Sequence, residues 1–181
     1  MPVHAPYNRR MDLKSLIRDV PDFPQPGILF RDITPLLGNP AGFAEVISGL
    51  SRAASATDVT CVVGIESRGF IFGAPVAVRL GVPFIPVRKP GKLPAARMSV
   101  EYSLEYGESQ LDIHEDALDP EGRAFIVDDL LATGGTALAA AKLVELLGAQ
   151  VAGFGFVIEL AALGGREKLR DYSINSLITY H

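Results

Sequence analysis

The chain has 181 residues, of which 48% are apolar, and this is enough for one domain with a substantial core. Its formal net charge of −4 argues against a general nucleic-acid binder and against binding to an anionic membrane surface. The single cysteine, Cys61, excludes an intramolecular disulfide and a cysteine-based metal cluster. No stretch reaches membrane-spanning length, and the N-terminal residues carry no apolar secretory core. We therefore expect one cytoplasmic domain over residues 1–181.

The N-terminal segment, about residues 1–38, predicts a helix followed by an ordered but irregular stretch. Apolar residues recur on one side of Asn8 to Val20, which favours a short amphipathic helix. The next stretch, PDFPQPGILFRDITPLL, contains four prolines that exclude a continuous helix, yet it is too apolar for a solvated loop. It is therefore either a hydrophobic clasp over the core or a hood over a flat ligand, with Phe30 as the stacking surface.

The next elements place an arginine at a turn between a strand and a helix. Asn39 is a preferred N-cap residue and predicts a helix over residues 40–56. The apolar run from Val59 to Ile65 predicts a strand, and Phe70 to Leu80 predicts a second helix. Arg68 stands in the turn between them, where it is either a surface residue or part of an anion site beside exposed helix amides.

A basic loop follows a strand predicted over Val82 to Arg88. The loop, RKPGKLPAARM, places four cations among glycine and proline, which is typical either of solvated surface or of a mobile lid over a polyphosphate. Two alternating stretches, Val100–Tyr106 and Ser109–Ile113, then predict a hairpin with Glu105 at its tip. The lid and the hairpin together span about residues 88–113.

The most informative stretch is FIVDDLLATGGTA, Phe125 to Ala137. An apolar strand runs into two adjacent carboxylates, Asp128 and Asp129, and ATGGT then precedes a helix predicted to end near Leu147. The amides, hydroxyls and helix N-terminus of this turn predict a phosphate site. Carboxylates beside a phosphate require a ligand that also offers hydroxyls or a divalent cation, and a sugar phosphate with magnesium provides both. Neither a dinucleotide fingerprint nor a triphosphate P-loop occurs here.

Strands and helices alternate to the end of the chain, which predicts an α/β fold. Two further strands are predicted over Gln150–Leu160 and Ile174–Tyr180, with a short helix or turn at Gly164–Leu169. Such alternation implies a mostly parallel sheet covered by helices on both faces. Ligands of these sheets bind outside the carboxyl ends of the strands, so we expect the two anion-binding turns and the start of the basic loop to converge there.

The order of strand, acidic pair and Thr-Gly-Gly-Thr before a helix resembles the diphosphoribosyl-binding motif of the type I phosphoribosyltransferases. Further stretches over nearly the full chain are similar to the members of that family that act on adenine: FPQPGILFRDITPLL, GIESRGFIFG, RKPGKLP, EYSLEYG, VDDLLATGGT and GREKL. The resemblance implies the type I fold and a magnesium-dependent reaction of adenine with phosphoribosyl pyrophosphate, which yields AMP and pyrophosphate. It also implies purine salvage in the cytoplasm by a homodimer.

Carried over by position, the resemblance assigns each part of the ligand to residues of this chain. Asp128 and Asp129 would hold the ribose hydroxyls. The 5′-phosphate cradle would consist of Ala132, Thr133, Gly134, Gly135 and Thr136. The pyrophosphate loop would consist of Ser67, Arg68 and Gly69, with Arg88, Lys89 and Lys92 near the pyrophosphate or in the lid. Leu29, Phe30 and Arg31 match the adenine pocket, and Glu105 matches the acid/base residue. The residues expected to act in catalysis are Glu105, Arg68, Asp128 and Asp129, and no protein ligand for the metal is assigned.

Two other functions stay open at this point. A non-catalytic sensor of phosphoribosyl pyrophosphate would keep the residues from Asp128 to Thr136, but it would not need the hood, the lid or Glu105. A transferase for 6-oxopurines would share the sugar-phosphate site and differ in the base pocket. Pro90 departs from the family pattern, because a basic residue is expected between the lid lysine and glycine, and this implies a stiffer or less cationic lid.

Overall fold

The computed structural model describes residues 11–103 and 108–181, which form two compact units. The first unit ends at Val46, and the second begins at Ile47 and contains the main sheet. Among the helices of the described ranges, none has the length and apolar character needed to cross a bilayer.

The N-terminal unit is built around a two-stranded antiparallel ribbon. A 3₁₀ turn at Leu13–Leu16 precedes β1 (Arg18–Pro21), which pairs with β2 (Leu29–Asp32), and helix α1 (Thr34–Leu37) follows. The helix predicted over Asn8–Val20 is therefore wrong for its described part. Pairing between the strands, with Val20 opposite Phe30, outweighs the weak helical pattern of so short a stretch.

Helix α2 (Pro40–Ser55) begins where the sequence predicts. The side-chain oxygen of Asn39 accepts a hydrogen bond of 2.9 Å from the Gly42 amide, as expected of an N-cap residue. The helix then presents apolar side chains that include the fully buried Val46 and Leu50.

The second unit contains a five-stranded sheet and a separate hairpin. After β3 (Cys61–Ile65) come α3 (Arg68–Leu80) and β4 (Phe84–Val87), and the hairpin consists of β5 (Arg97–Ser103) and β6 (Glu108–His114). The remaining elements are β7 (Arg123–Leu131), α4 (Gly135–Leu146), β8 (Gln150–Leu160), a 3₁₀ turn (Ala161–Leu163), α5 (Gly165–Lys168) and β9 (Ile174–Tyr180). The sheet order is β4-β3-β7-β8-β9, and every neighbouring pair is parallel. The predicted α/β fold is confirmed.

The core of the second unit explains why its central strands read as continuous apolar runs. All five residues of β3 are buried, because helices and the hairpin cover the sheet. Glycines in β8 allow close packing, since a Cβ on Gly155 would lie 2.7 Å from the ring of Phe125 on β7. The three phenylalanines Phe125, Phe154 and Phe156 are all buried.

The strand order places two chemically distinct turns side by side. The chain passes from β3 outward to β4 in one direction and from β7 through β8 to β9 in the other, so the switch point lies between β3 and β7. These strands are paired in register, with Gly64 opposite Val127. The turn after β3 and the acidic end of β7 therefore occupy the same edge of the sheet.

Replacing Asn39 with alanine removes the side-chain acceptor at the start of α2. We expect Asn39→Ala to lower the free energy of unfolding by about 1 kcal/mol, measured by urea denaturation. Asn39→Ser retains a capping oxygen and should stay close to the wild-type value. Equal midpoints for the alanine and wild-type proteins would contradict this assignment.

Candidate active site

The first turn of α3 lies directly against the acidic end of β7. A Cβ on Gly69 would lie 2.6 Å from the Val127 carbonyl oxygen and 3.1 Å from Asp128 Oδ1. Only glycine fits here without displacing the strand, and this close approach brings the neighbouring Arg68 to the carboxylates.

Arg68 and the two carboxylates form a compact charged group. Arg68 Nε lies 2.9 Å from Asp129 Oδ2, and the Asp129 side chain is 4% exposed whereas that of Arg68 is 43% exposed. The Asp129 amide donates a hydrogen bond of 2.9 Å to Asp128 Oδ1. Asp129 Oδ2 is buried and has the Arg68 ion pair but no aligned hydrogen-bond donor among the described residues.

The environment of this acidic pair opposes its negative charge. Burial raises the pKa of Asp128 well above its usual range, and the neighbouring charge of Asp129 raises it further. Burial also raises the pKa of Asp129, although the Arg68 guanidinium opposes this rise. The Arg68 guanidinium therefore lies against two carboxylates whose charge burial disfavours, and the pair is suited to accept hydrogen bonds from hydroxyls or to face a further positive charge.

The turn after β7 brings the five predicted phosphate-binding residues together. Gly134 has a φ of +79°, the left-handed conformation that glycine adopts without strain, and α4 begins at the next residue. A cavity of about 190 Å³ is lined by Arg68 and the residues from Asp128 to Ala137. The N-terminus of a twelve-residue helix and its preceding amides thus face a small polar cavity, as the sequence predicts for an anion site.

A second, larger cavity of about 480 Å³ shares several residues with the first. It is lined by the predicted residues Ser67, Arg68, Lys89, Asp128, Asp129 and Thr136. The turn after β3, the start of the basic loop and the turn after β7 therefore converge, as expected from the fold class.

The same cavity contains residues that the sequence analysis did not assign, namely Glu66, Tyr102, Ser109 and Leu111. Tyr102 and Ser109 are directly opposite each other in the hairpin. The Thr136 hydroxyl donates a hydrogen bond of 3.3 Å to the Tyr102 hydroxyl. This bond joins the hairpin to residues 132–136, which we call the phosphate turn after their predicted role. The alternating pattern of β5 and β6 was the available signal, because cross-strand neighbours share a face.

Glu66 organises the start of the basic loop. Its carboxylate accepts a hydrogen bond of 2.9 Å from the Lys89 amide and one of 3.2 Å from Arg88 Nε. Burial acts to raise the pKa of Glu66, but the Lys89 amide and the Arg88 guanidinium outweigh it and hold the pKa below its usual range. Arg88 also donates to the Lys92 carbonyl at 3.1 Å. Of the three predicted loop cations, Lys89 lines the larger cavity, whereas Arg88 is engaged with Glu66 and Lys92 is exposed.

The residues predicted for the base pocket belong to the N-terminal unit. Leu29, Phe30 and Arg31 form most of β2 in the N-terminal unit, where the rings of Phe23 and Phe30 meet edge-on with centroids 5.1 Å apart and Arg31 pairs with Asp19. Glu105 lies outside the described residues. The assignments of the base pocket and of the acid/base residue therefore stay predictions.

The described residues contain no group of three or more His, Cys, Asp or Glu side chains arranged to hold a metal ion. Magnesium commonly binds through one or two carboxylates together with phosphate oxygens and water. The acidic pair fits that arrangement, because the half-buried Asp128 and the buried Asp129 supply carboxylate oxygens next to the predicted anion site.

Comparison with known proteins relates this site to a family. The phosphoribosyl transferase domain family matches residues 34–179. The adenine phosphoribosyltransferase of Acaryochloris marina is 60% identical over 170 residues, which cover 94% of this chain and 100% of the relative. The chain belongs to the adenine phosphoribosyltransferase family. Its fold is the type I phosphoribosyltransferase fold, as the resemblance implies.

Solved adenine phosphoribosyltransferases agree closely with this structure. The crystal structure from Thermoanaerobacter pseudethanolicus has a TM-score of 0.90 and 53% identity, and the match covers 93% of this chain and 98% of that chain. The enzyme from Saccharomyces cerevisiae, crystallised with D-2,5-dideoxy-2,5-imino-altritol 1,6-bisphosphate and adenine, has a TM-score of 0.86 and 42% identity over 91% of this chain and 96% of that chain.

Asp128→Asn should stabilise this protein, because it removes a charge that burial disfavours and keeps the oxygen that accepts from the Asp129 amide. We expect a gain of about 1 kcal/mol near neutral pH, or roughly 2–4 °C in Tm for a chain of this size. Since the pKa of Asp128 is raised in the folded state, its protonated form contributes stability at low pH, and this contribution is lost as the pH rises through the folded pKa. The gain in Tm should therefore increase between pH 5 and pH 8.

Thermal unfolding followed over that pH range checks this prediction, with the exposed Asp116→Asn as the control. A gain that shrinks with rising pH, or one that Asp116→Asn reproduces, would contradict it.

Proposed function

We propose that the two joined cavities bind phosphoribosyl pyrophosphate with magnesium and transfer its phosphoribosyl group to adenine, releasing AMP and pyrophosphate. The observation that carries this proposal is the acidic pair, with Asp128 half-buried and Asp129 buried, between the Arg68 turn and the phosphate turn at Gly134. A ligand that fills both cavities must place an anion at each end and hydroxyl groups in the middle. Phosphoribosyl pyrophosphate has that order of groups.

The proposed binding mode follows the position of each group. The amides and hydroxyls of residues 132–136 hold the 5′-phosphate at the start of α4. Asp128 and Asp129 accept hydrogen bonds from the ribose hydroxyls, which supply the donors that the buried Asp129 oxygen lacks among the described residues. Ser67, Arg68, Gly69 and Lys89 hold the pyrophosphate at the opposite side of the larger cavity.

The proposed mechanism uses these charges in the transition state. When the bond to pyrophosphate breaks, positive charge develops on the sugar and negative charge on the leaving group. The acidic pair opposes the developing cation, while Arg68 and Lys89 stabilise the leaving pyrophosphate. Magnesium, held chiefly by phosphate oxygens and water beside the acidic pair, would supply further charge neutralisation on the leaving group.

The roles proposed for the base side and for the whole protein rest on the family resemblance. Adenine would stack on Phe30, with Leu29 and Arg31 contributing backbone groups that read its edge, and Glu105 would manage a proton on the purine. Arg88 and Lys92 would keep the basic loop near the pyrophosphate. The Saccharomyces cerevisiae enzyme supports the base assignment, because it was crystallised with adenine. We also propose a homodimer that acts in cytoplasmic purine salvage.

The first test is pyrophosphate release from phosphoribosyl pyrophosphate and magnesium, with adenine, hypoxanthine and guanine offered in parallel. We expect release with adenine alone. Activity only with the 6-oxopurines would keep the sugar-phosphate site and overturn the base pocket. Absence of release with every base, together with tight binding of phosphoribosyl pyrophosphate, would favour the sensor function.

Arg68→Ala and Asp129→Asn each remove one charge that acts in the proposed transition state. We expect each change to lower kcat/KM by at least about 10²-fold, the scale of losing one such electrostatic partner. Steady-state kinetics with adenine check this, with Arg79→Ala on the exposed side of the same helix as the control. Near-wild-type kinetics for both site variants would exclude the proposed roles.

A further inference from the structure

The phosphate turn is supported from behind by a segment far away in sequence. A Cβ on Gly165, at the start of α5, would lie 2.2 Å from the Ala132 carbonyl oxygen and 3.0 Å from the Gly134 amide nitrogen. A Cβ on Gly134 would in turn lie 2.8 Å from the Gly165 carbonyl oxygen. The two backbones are therefore in direct contact, and a shift of one must displace the other.

Helix α5, which carries Gly165, is too short to be stable without tertiary contacts. Helix α5 is four residues long, and an isolated helical turn is unstable in water. Arg166 anchors it through a two-pronged ion pair, because Nε lies 2.8 Å from Glu159 Oε1 and Nη2 lies 2.5 Å from Glu159 Oε2. The same guanidinium donates to the Ile174 carbonyl at 3.4 Å.

Glu159, the partner of Arg166, is connected to the phosphate turn through the pairing of β8 with β7. Glu159 on β8 is opposite Leu131 on β7, and Leu131 immediately precedes Ala132. The Glu159 side chain is 5% exposed, and its hydrogen bonds from Arg166 outweigh burial and hold its pKa below the usual range. The pair is thus charged at neutral pH and ties α5 to the strand beside the one from which the turn emerges.

We propose that Arg166 is a positioning residue for the 5′-phosphate site. Acting through Gly165, it holds α5 against the turn and so sets where the amides between Ala132 and Thr136 point. This inference rests on the proposed function, which assigns the 5′-phosphate to that turn. The pyrophosphate turn follows β3, two strands away from β8, and it does not depend on this support.

The test compares two ligands that occupy opposite ends of the site. Calorimetric dissociation constants for ribose 5-phosphate and for pyrophosphate, both with magnesium, are measured for the wild type and for Arg166→Met. We expect the value for ribose 5-phosphate to rise about tenfold, because the amides lose their alignment, and the value for pyrophosphate to stay within about twofold.

A matched control is available in the same segment. Arg170 forms an exposed ion pair of 3.2 Å with Glu167, in which both side chains are more than two-thirds exposed, so Arg170→Met should change neither constant. Glu159→Gln, which retains one carbonyl acceptor, provides a second variant in case Arg166→Met does not fold. Glu159→Gln should raise the dissociation constant for ribose 5-phosphate by less than Arg166→Met does, and it should leave the constant for pyrophosphate nearly unchanged.

Three results would overturn the inference about Arg166. Equal weakening of both ligands indicates general destabilisation and overturns the inference, as does an unchanged constant for ribose 5-phosphate in both variants. Failure of the wild type itself to bind ribose 5-phosphate overturns the proposed function, and the inference with it.

Discussion

The desolvated acidic pair at the end of β7 is the constraint on which the site depends. Asp129 is buried and Asp128 is half-buried beside the Arg68 guanidinium, and burial raises the pKa of both. This arrangement does not favour stability, because neutral side chains of the same size would avoid the free-energy cost of removing charges from water. The surrounding fold must therefore hold these charges in place, and the proposed hydroxyl-bearing ligand would complete their compensation.

Close backbone contacts at glycines, together with ion pairs, hold the charged residues of the site in place. Gly69 allows α3 to touch β7, and Gly134 and Gly165 allow the phosphate turn to touch α5. Three arginines then connect the segments that follow strand ends: Arg68 with Asp129, Arg88 with Glu66, and Arg166 with Glu159. In each pair the carboxylate is the more buried partner, so the arginine remains partly accessible while its partner is held in the scaffold.

Much of the fold after residue 38 was predictable from the sequence because its signals are local and agree with one another. The run before Asp128 is apolar on both faces, Asn39 is a cap where a cap is needed, and the glycines at 134 and 135 stand where a helix must begin. The helix predicted over Asn8–Val20 failed, in its described part, for the opposite reason. Its apolar pattern is weak, and pairing of Val20 with Phe30 is a tertiary contact that no local window contains.

Arg88 is an example, within the site, of a contact that local sequence patterns do not reveal. The resemblance places Arg88 near the pyrophosphate or in the lid, and the structure adds a hydrogen bond from Arg88 to Glu66 that sequence alone does not reveal. The direction of the pKa shift separates the two kinds of ion pair that result. Glu66 and Glu159 have lowered pKa values, so their charges are satisfied and their arginines serve the scaffold. Asp129 has a raised pKa despite Arg68, so its charge still lacks compensation. A carboxylate with a raised pKa and incomplete compensation is a candidate for ligand binding, and this supports the proposal that Asp128 and Asp129 contact the substrate.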